Sequence, residues 1–384
     1  MSNKKVTSKD FTDLLQGSLS KEFKDTGLTF RTPEDRSERI NPTMHLSTGD
    51  PVLDLIISNK KNAGIPFGRY VNIYSDSGLG KSLLVQKLIA NVQRMGGTAV
   101  YFDTEGGIYY EFMKVLGVKT DELVYIDDAN AIEDIFQAII QIIVTNIEND
   151  IDNPLLIAVD SMTATTTRDG AKLDSMEQKG YGEGARKQLI LNDLFKKALT
   201  KIKQDNIILI TTDQIRDKIN ASPWERNWRN TAGWAQKFYS DIRLEMTPRG
   251  AIKNKNKDII GNKVNIKVVK SRISPSDRSM DAYIYGTRGL DKYKSLLETA
   301  KDRNIIKKGR DKIKFKIDGE EYRKENGNLP TEMEFKRMLK EDKKIYDLIY
   351  DQLAENMVIE YEFEDELIDD DENIIEEEDT KSDE

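Results

Sequence analysis

A segment of eight residues has the composition of a phosphate-binding loop. It lies between the apolar-alternating run 70–74 and a helical pattern that begins at Leu83. A strand, a glycine-rich turn and a helix N-terminus in this order direct backbone N–H groups and the helix dipole at one anion. Lys81 would reach the β- and γ-phosphates of a nucleotide, and the Ser82 hydroxyl would bind Mg²⁺, so we interpret the segment as an ATP site. Its members are Ser75, Asp76, Ser77, Gly78, Leu79, Gly80, Lys81 and Ser82.

The first position of this loop departs from the usual pattern, G-x-x-x-x-G-K-[S/T], because it holds Ser75. Glycine at this position eases a tight turn in which φ is unusual. Either Ser75 adopts an ordinary backbone conformation, or the entry to the loop is strained. The whole segment could also be an ordinary turn that happens to contain Gly-Lys-Ser, but its position between a strand and a helix favours the nucleotide site.

Two carboxylates follow apolar runs that have the character of buried strands. The run 99–103 leads to Glu105, and the run 155–159 ends in Asp160. The carboxyl ends of strands are where open α/β sheets bind ligands. Glu105 is therefore a candidate to activate the water that attacks the γ-phosphate, or else a solvated turn residue, and Asp160 is a candidate to hold the Mg²⁺ shell. We expect the strands before Lys81 and Asp160 to be neighbours in a doubly wound sheet.

Composition narrows the class of protein. The 384 residues include no cysteine, which rules out a disulfide framework and fits a reducing compartment. No apolar run approaches the roughly 20 residues that span a bilayer, and the N-terminus is polar, so we expect a cytoplasmic protein without a membrane role.

The charge of the chain is divided unevenly. Residues 360–384 include fifteen acidic residues and one lysine, a net charge of −14, which leaves +6 for the rest of a chain whose total is −8. A basic body suggests phosphate-rich partners, and the acidic tail could compete with them for the same surface. The alternative is a solvated tail that only aids solubility.

Two polar stretches, about 168–185 and 216–232, are long for connectors. The second follows a strand that ends in Asp213 and Gln214, and it interleaves tryptophans with basic residues. Such a composition suits stacking on bases and contact with phosphates, although the tryptophans could instead pack the loop onto its own domain. Lys270 and Arg272 lie at another strand end, where they could pair with phosphate or with carboxylates.

The composition and the pattern of apolar residues divide the chain into four parts. Residues 1–40 are polar, with one short amphipathic helix that we expect to dock on something else. Residues 41–290 carry the strands and helices of an α/β core, residues 291–358 form a small lysine-rich α+β module, and residues 359–384 are the acidic tail. The fold class is therefore α/β, with a mostly parallel, doubly wound sheet.

From about Leu46 to about Leu353 the chain resembles a RecA-type DNA strand-exchange recombinase. The segments that carry this resemblance are 46–49 with 53–54, 68–69, 102–105, 116–118, 159–161, 214–216 with 218–219, and 237–239 with 243–244. The resemblance implies a RecA-like P-loop ATPase core that uses ATP and Mg²⁺. It also implies a short N-terminal segment for oligomerisation and a small C-terminal domain that captures duplex DNA, with the acidic tail as its brake.

The resemblance also implies roles for individual residues. Lys81 and Ser82 match the phosphate and Mg²⁺ residues, Asp160 the second acidic residue, and Glu105 the carboxylate that activates water. Gln214 matches the glutamine that senses the γ-phosphate. Lys270 and Arg272 match a basic pair that reaches the ATP of the neighbouring subunit. In the nucleotide site Phe112 matches the aromatic residue that stacks on adenine, and Tyr285 joins it.

The two polar stretches match the DNA-binding loops of the family. The residues implied in DNA contact are Tyr181, Arg186, Lys196, Arg216, Lys218, Trp224, Arg226, Trp228, Arg229, Thr231 and Gly233. The implied partners are single-stranded DNA, homologous duplex DNA, further copies of the chain in a helical filament, and single-strand-binding and loader proteins.

Four positions depart from the family's pattern: Ser75 in the P-loop, Tyr109 in place of an acid near adenine, Ala232 in place of a glycine, and Arg272 in place of a lysine. We would expect such drift in a bacteriophage-encoded member, and the expected location is the cytoplasm of a bacterial cell or of a phage-infected host. The function implied is an ATP-dependent recombinase with DNA-stimulated hydrolysis. The alternatives are a hexameric DNA helicase motor with the same fold and a nucleotide-gated coat on single strands that scarcely hydrolyses ATP.

Overall fold

The computed structural model describes residues 8–24, 30, 44–149, 151, 153–171, 183–202, 206–217, 228–230, 234–310, 312–317 and 319–361. The helices in these ranges are α1 (Ser8–Glu22), α2 (Pro51–Ser58), α3 (Lys81–Arg94), α4 (Tyr110–Leu116), α5 (Ile132–Glu148), α6 (Arg168–Ala171), α7 (Glu183–Ile202), α8 (Trp234–Tyr239), α9 (Lys292–Asp302), α10 (Glu332–Glu341) and α11 (Lys343–Met357). The strands are β1 (His45–Leu46), β2 (Ile65–Pro66), β3 (Arg69–Ser75), β4 (Thr98–Asp103), β5 (Leu123–Ile126), β6 (Leu155–Asp160), β7 (Ile207–Asp217), β8 (Trp228–Asn230), β9 (Ile242–Lys253), β10 (Ile259–Ser271), β11 (Ser279–Tyr285), β12 (Gly289–Leu290), β13 (Lys307–Lys308), β14 (Ile313–Lys314), β15 (Lys316–Ile317) and β16 (Glu320–Glu321).

The large sheet has the strand order β12-β11-β10-β9-β3-β7-β6-β4-β5, and β8 pairs with the end of β7. The six strands from β9 to β5 run parallel, and β10 to β12 add an antiparallel edge. The predicted α/β class with a mostly parallel sheet is confirmed.

The expectation that the strands before Lys81 and Asp160 are neighbours is wrong, because β7 lies between β3 and β6. The crossover through α3 places β4 three positions away from β3. Two strands that come later in the chain, β6 and β7, then fill the space between them, an order that sequence adjacency does not reveal.

Helices cover both faces of the parallel region because its strands are apolar on both faces. Along β6, Leu156 and Ala158 belong to the apolar cluster that includes α2, α3 and α4. Leu155, Ile157 and Val159 belong to the opposite cluster, with α5 and α7. Successive strand side chains point to opposite faces, so a run of consecutive apolar residues requires helices on both.

Local signals define α2. The Asp50 side chain accepts hydrogen bonds from the backbone N–H groups of Val52 and Leu53, and Pro51 occupies the first turn. Asn59 ends the helix in the left-handed conformation with φ of 54°. Every residue from Val52 to Ser58 is buried.

The C-terminal helices share an apolar core with the rest of the molecule. Leu296, Phe335 and Ile349 are fully buried, and they belong to the same cluster as α2 and α3. After residue 290 the structure has the three helices α9, α10 and α11 and the short strands β13 to β16. The division of the chain at residues 40, 290 and 358 stays a prediction.

The N-terminal helix α1 is present, and none of its residues is buried. Phe11 and Leu14 are exposed, so the predicted docking of this helix on another subunit stays a prediction. Across the described helices, none combines the length and apolar character that a membrane-spanning helix needs.

Candidate nucleotide site

The glycine-rich loop connects β3 to α3, as predicted. Ser75 is the last residue of β3 and has a negative φ, so the serine at the first loop position is accommodated without left-handed backbone. Gly78 and Gly80 have φ of 77° and 92°, a region that glycine enters freely. A Cβ on Gly80 would lie 2.9 Å from Cδ1 of Ile284, the far end of a side chain that can shift, so the positive φ is the main requirement for glycine there.

Lys81 is buried and points back along its own loop. Its Nζ donates to the Ser75 carbonyl (3.3 Å), to Ser75 Oγ (3.0 Å) and to the Asp76 carbonyl (2.9 Å). Burial lowers the pKa of Lys81, while Asp160 and Glu105 oppose this effect. The serine at the departing position therefore supplies a hydrogen-bond partner to the lysine that a glycine would lack.

Asp160, at the end of β6, is held through both carboxylate oxygens. The Tyr101 hydroxyl donates to Oδ2 at 2.8 Å, and the Thr212 hydroxyl donates to Oδ1. Tyr101 and Thr212 lie on β4 and β7, the strands on either side of Asp160. Burial, together with Asp160, raises the pKa of Tyr101, so this hydroxyl keeps its proton and remains a donor.

Glu105 lies just beyond β4 and accepts two hydrogen bonds on Oε1. Ser161 Oγ donates at 2.6 Å, and Gln214 Nε2 donates at 2.8 Å. The neighbouring Asp103 accepts from the Tyr125 hydroxyl at 2.8 Å and caps the turn by accepting from the backbone N–H of Glu105. The sheet thus brings together residues that are separated by more than 100 positions in the sequence.

A cavity of about 300 Å³ opens at these strand ends. Its walls are formed by Ser82, Leu83, Gln86, Tyr101, Asp103, Glu105, Gly107, Ile108, Tyr109, Phe112 and Asp160. The predicted nucleotide residues Ser82, Phe112 and Asp160 therefore face one space, and Glu105 joins them. Tyr285 is not part of its wall; it lies at the end of β11, next to Ile284, and the Arg288 guanidinium lies 3.8 Å from its ring centroid.

Strand β7 connects this cavity to the second polar stretch. Gln214, which contacts Glu105, is followed by Ile215, Arg216 and Asp217, whose backbones pair with Asn230, Arg229 and Trp228 of β8. The two ends of the predicted 216–232 loop are thus joined as a short antiparallel ladder. The side chains of Arg216, Trp228 and Arg229 lie outside the described residues, as do Tyr181, Lys218, Trp224, Arg226, Thr231 and Gly233.

The flanks of the first polar stretch are helical rather than irregular. Helix α6 covers Arg168–Ala171, and α7 begins at Glu183, so both helices overlap the polar stretch of about 168–185. Arg186 is exposed and pairs with Asp169, and Lys196 is exposed on α7. Their assignment to DNA contact stays a prediction.

Lys270 and Arg272 do not line the cavity. Lys270 Nζ donates to the carbonyls of Lys237 and Phe238 at 2.8 and 2.9 Å, and Arg272 pairs with the buried Asp241 at 3.2 Å. Partial burial and the nearby Arg272 lower the pKa of Lys270 to about 8. Both cations are held at the end of α8, away from the site of their own chain.

Sequence reasoning did not identify Tyr101, Thr212 and Gln86 as members of this site. The only signal for Tyr101 is its position two residues before Asp103, which puts both side chains on one face of β4. Gln86 occurs four residues after Ser82, on the same side of α3.

Comparison with known proteins assigns the chain to a family. Residues 20–291 match the RecA N-terminal domain. Protein RecA of Campylobacter jejuni subsp. doylei is 30% identical over 343 residues, covering 89% of this chain and 92% of the relative. Protein RecA of Legionella pneumophila (strain Corby) is 30% identical over 298 residues, covering 75% and 81%. Protein RecA of Limosilactobacillus reuteri (strain DSM 20016) is 32% identical over 248 residues, covering 64% of each chain. The chain belongs to the RecA family and is a RecA-type recombinase.

Proposed function

We propose that this protein binds ATP between adjacent subunits, forms a helical filament on single-stranded DNA, and pairs that strand with a homologous duplex. Hydrolysis of ATP to ADP and phosphate, stimulated by DNA, then releases the filament. The single observation that carries the proposal is the contact between Gln214 and Glu105, 2.8 Å long. It joins the carboxylate beside the γ-phosphate position to the strand that leads into the second loop.

The described residues fit ATP and Mg²⁺. Lys81 and the N-terminus of α3 would bind the phosphates, and Ser82 and Asp160 would hold the metal. Mg²⁺ commonly binds one or two protein oxygens together with substrate phosphates, and it neutralises charge on the phosphate oxygens. Glu105 would orient the attacking water and accept its proton.

The cations at the end of α8 support a site shared between subunits. Lys270 is half-buried and Arg272 is exposed, and neither lines the cavity of its own chain. In a head-to-tail filament one surface of each subunit meets a different surface of the next, so cations on one subunit can complete the site of another. Turnover would then require assembly on DNA.

Strand exchange between a single strand and a homologous duplex tests the proposal directly. Wild-type protein with ATP and Mg²⁺ should produce heteroduplex, and Lys81→Ala should not, because the phosphates lose their cation. Lys87→Ala, six residues further along α3, is the matched control and should retain exchange. Strand exchange by Lys81→Ala at the wild-type rate would refute the assignment of Lys81 to phosphate binding.

The helicase alternative predicts a different result. DNA-stimulated hydrolysis without strand exchange, together with closed hexamers in electron micrographs, would indicate a helicase motor.

Mixing two defective variants tests the shared site. Lys81→Ala lacks its own phosphate cation, and the double variant Lys270→Ala, Arg272→Ala lacks the cations offered to its neighbour. Each alone should show little DNA-dependent hydrolysis. A mixture should regain activity at roughly one interface in four, where an intact loop meets intact cations. No recovery in the mixture would rule out a site completed by the neighbouring subunit.

A further inference from the structure

Gln86 is a buried polar residue in the wall of the nucleotide cavity. Gln86 is 5% exposed, and its Oε1 has no hydrogen-bond partner among the residues that the structure describes. Neutral polar groups that are buried in folded proteins are nearly always hydrogen-bonded, because an unpaired buried oxygen forfeits its interaction with water. An unpaired acceptor that lines a cavity therefore points to a donor that arrives with a ligand.

A second glutamine on the same helix shows that the fold can satisfy such a side chain. Gln93 is 3% exposed, its Nε2 donates to the Lys119 carbonyl at 2.8 Å, and its Oε1 accepts from the Lys119 N–H at 2.9 Å. Gln93 fixes the segment after α4 and has no place in the cavity wall. Gln86 has the same chemistry but lies beside open space.

The position of Gln86 along α3 places it beyond the phosphate end of the site. Ser82 is in the first turn of the helix, and Gln86 lies one turn further on the same side, about 6 Å away. The half-buried ring of Phe112 forms another part of the same wall. A nucleotide with its phosphates at the loop would extend its base toward this deeper region.

We propose that Gln86 is a specificity-determining residue that recognises the base through its amine edge. The inference rests on the proposed nucleotide function of the cavity. A glutamine carboxamide pairs with adenine in a bidentate manner, accepting from the exocyclic N6 amine and donating to ring N7. Hypoxanthine and guanine have a carbonyl at position 6, so they offer two acceptors and leave the oxygen of Gln86 without a partner.

Equilibrium binding of three triphosphates to the full chain, with Mg²⁺ and without DNA, tests the proposal. The probes are ATP, inosine triphosphate and purine riboside triphosphate, which lacks the amine altogether. Wild-type protein should bind ATP on the order of tenfold more tightly than either analogue. Gln86→Leu should bind all three within about twofold of one another, chiefly through weaker binding of ATP. Gln93→Leu is the control for a lost buried glutamine and should keep the wild-type preference.

The outcomes separate this inference from the function on which it rests. Wild-type protein that binds all three triphosphates equally would overturn the role of Gln86 and leave the nucleotide site intact. Preserved preference in Gln86→Leu would also overturn it, and the amide would then hold only water. Wild-type protein that binds none of them would overturn the proposed function itself. If Gln86→Leu fails to fold, Gln86→Met replaces it, and the wild-type comparison stands alone as a test.

Discussion

The nucleotide cavity and a second, larger cavity have opposite charge. The second, here called the basic cleft, has a volume of about 920 Å³ and lies between α3 and the C-terminal helices. Its charged wall residues are the cations Lys87, Arg94, Arg288, Lys292, Lys336 and Lys340 and the carboxylates Asp54, Asp291 and Asp347. The charged residues of the nucleotide cavity wall are instead the acids Asp103, Glu105 and Asp160.

The two cavities also differ in how they hold their carboxylates. In the nucleotide cavity the donors are neutral: hydroxyls, an amide and backbone N–H groups. In the basic cleft Asp291 is bound by Arg288 at 3.1 Å and Lys336 at 2.5 Å, and Asp347 is bound by Lys343. The third carboxylate, Asp54, is buried and accepts from Ser47 and Thr48 instead. Neutral donors fix a carboxylate in place without cancelling its charge, so the carboxylates of the nucleotide cavity are ready for a cation, whereas Asp291 and Asp347 already have one.

Of the changes proposed here, removing the charge of Glu105 from the nucleotide cavity should have the largest effect. Glu105→Gln retains a hydrogen-bonding side chain but loses the group that accepts a proton, so DNA-stimulated hydrolysis should fall by about 10²- to 10⁴-fold. Nucleotide binding should persist. The comparison is steady-state hydrolysis against equilibrium binding, with Glu111→Gln on the exposed face of α4 as control. Retained turnover in Glu105→Gln would remove this residue from the chemistry.

Tyr101→Phe should have a smaller effect on the same cavity. The loss of one hydroxyl leaves Asp160 held by Thr212 alone, so its carboxylate becomes less well oriented, and the Mg²⁺ concentration for half-maximal hydrolysis should rise several-fold. The maximal rate at saturating Mg²⁺ should change little. Tyr125→Phe is the matched control, since its hydroxyl binds Asp103 instead. An equal shift in both variants would contradict a specific role for Tyr101.

Acid should weaken the ion pairs between Glu332 and the lysines around it. Glu332, in the first turn of α10, is partly buried, which opposes its ionisation, but hydrogen bonds from Lys308, Lys294 and Lys301 outweigh burial and lower its pKa to about 2. Because the folded pKa lies below the ordinary value of 4.5, Glu332 stabilises the fold above pH 4.5, and this contribution is lost as pH falls toward 2.

Urea unfolding from pH 6 to pH 2.5 measures that contribution. The stability difference between wild type and Glu332→Gln should shrink across the window from 4.5 downward, while Glu325→Gln on an exposed turn should show no such trend. A difference that stays constant with pH would mean that the ion pairs of Glu332 add nothing to stability.

Ser75→Gly should produce the smallest change. Lys81 would lose one of its three loop contacts, the 3.0 Å bond to Ser75 Oγ, and would be easier to transfer to a phosphate. Nucleotide affinity should rise about two- to fivefold, in keeping with a single hydrogen bond that nets about 1 kcal/mol or less. Competition binding with ATP measures it, and unchanged or weaker affinity would show that the serine does not restrain the lysine.

The sequence predicts those parts of the site whose residues are close together along the chain. Lys81 and Ser82 belong to one loop, and Glu105 and Asp160 each follow an apolar strand closely. The contact of Tyr101 with Asp160 spans 59 positions and depends on the register in which Asp103 lies opposite Asp160. Register and strand order come from the packing of the whole sheet, so neither this contact nor the insertion of β7 could be read from local patterns.

Gln214 marks the point at which β7 leaves the large sheet. The last residue pair that joins β7 to β3 is Ser75 with Gln214, and the pairing with β8 begins at Ile215. Beyond that point β7 continues for about 10 Å to Asp217, and among the described residues this extension pairs only with β8. The extension begins at the residue that contacts Glu105. A small rotation of the backbone at Gln214, when a phosphate binds or leaves, would therefore cause a larger displacement at Asp217, where the second loop begins.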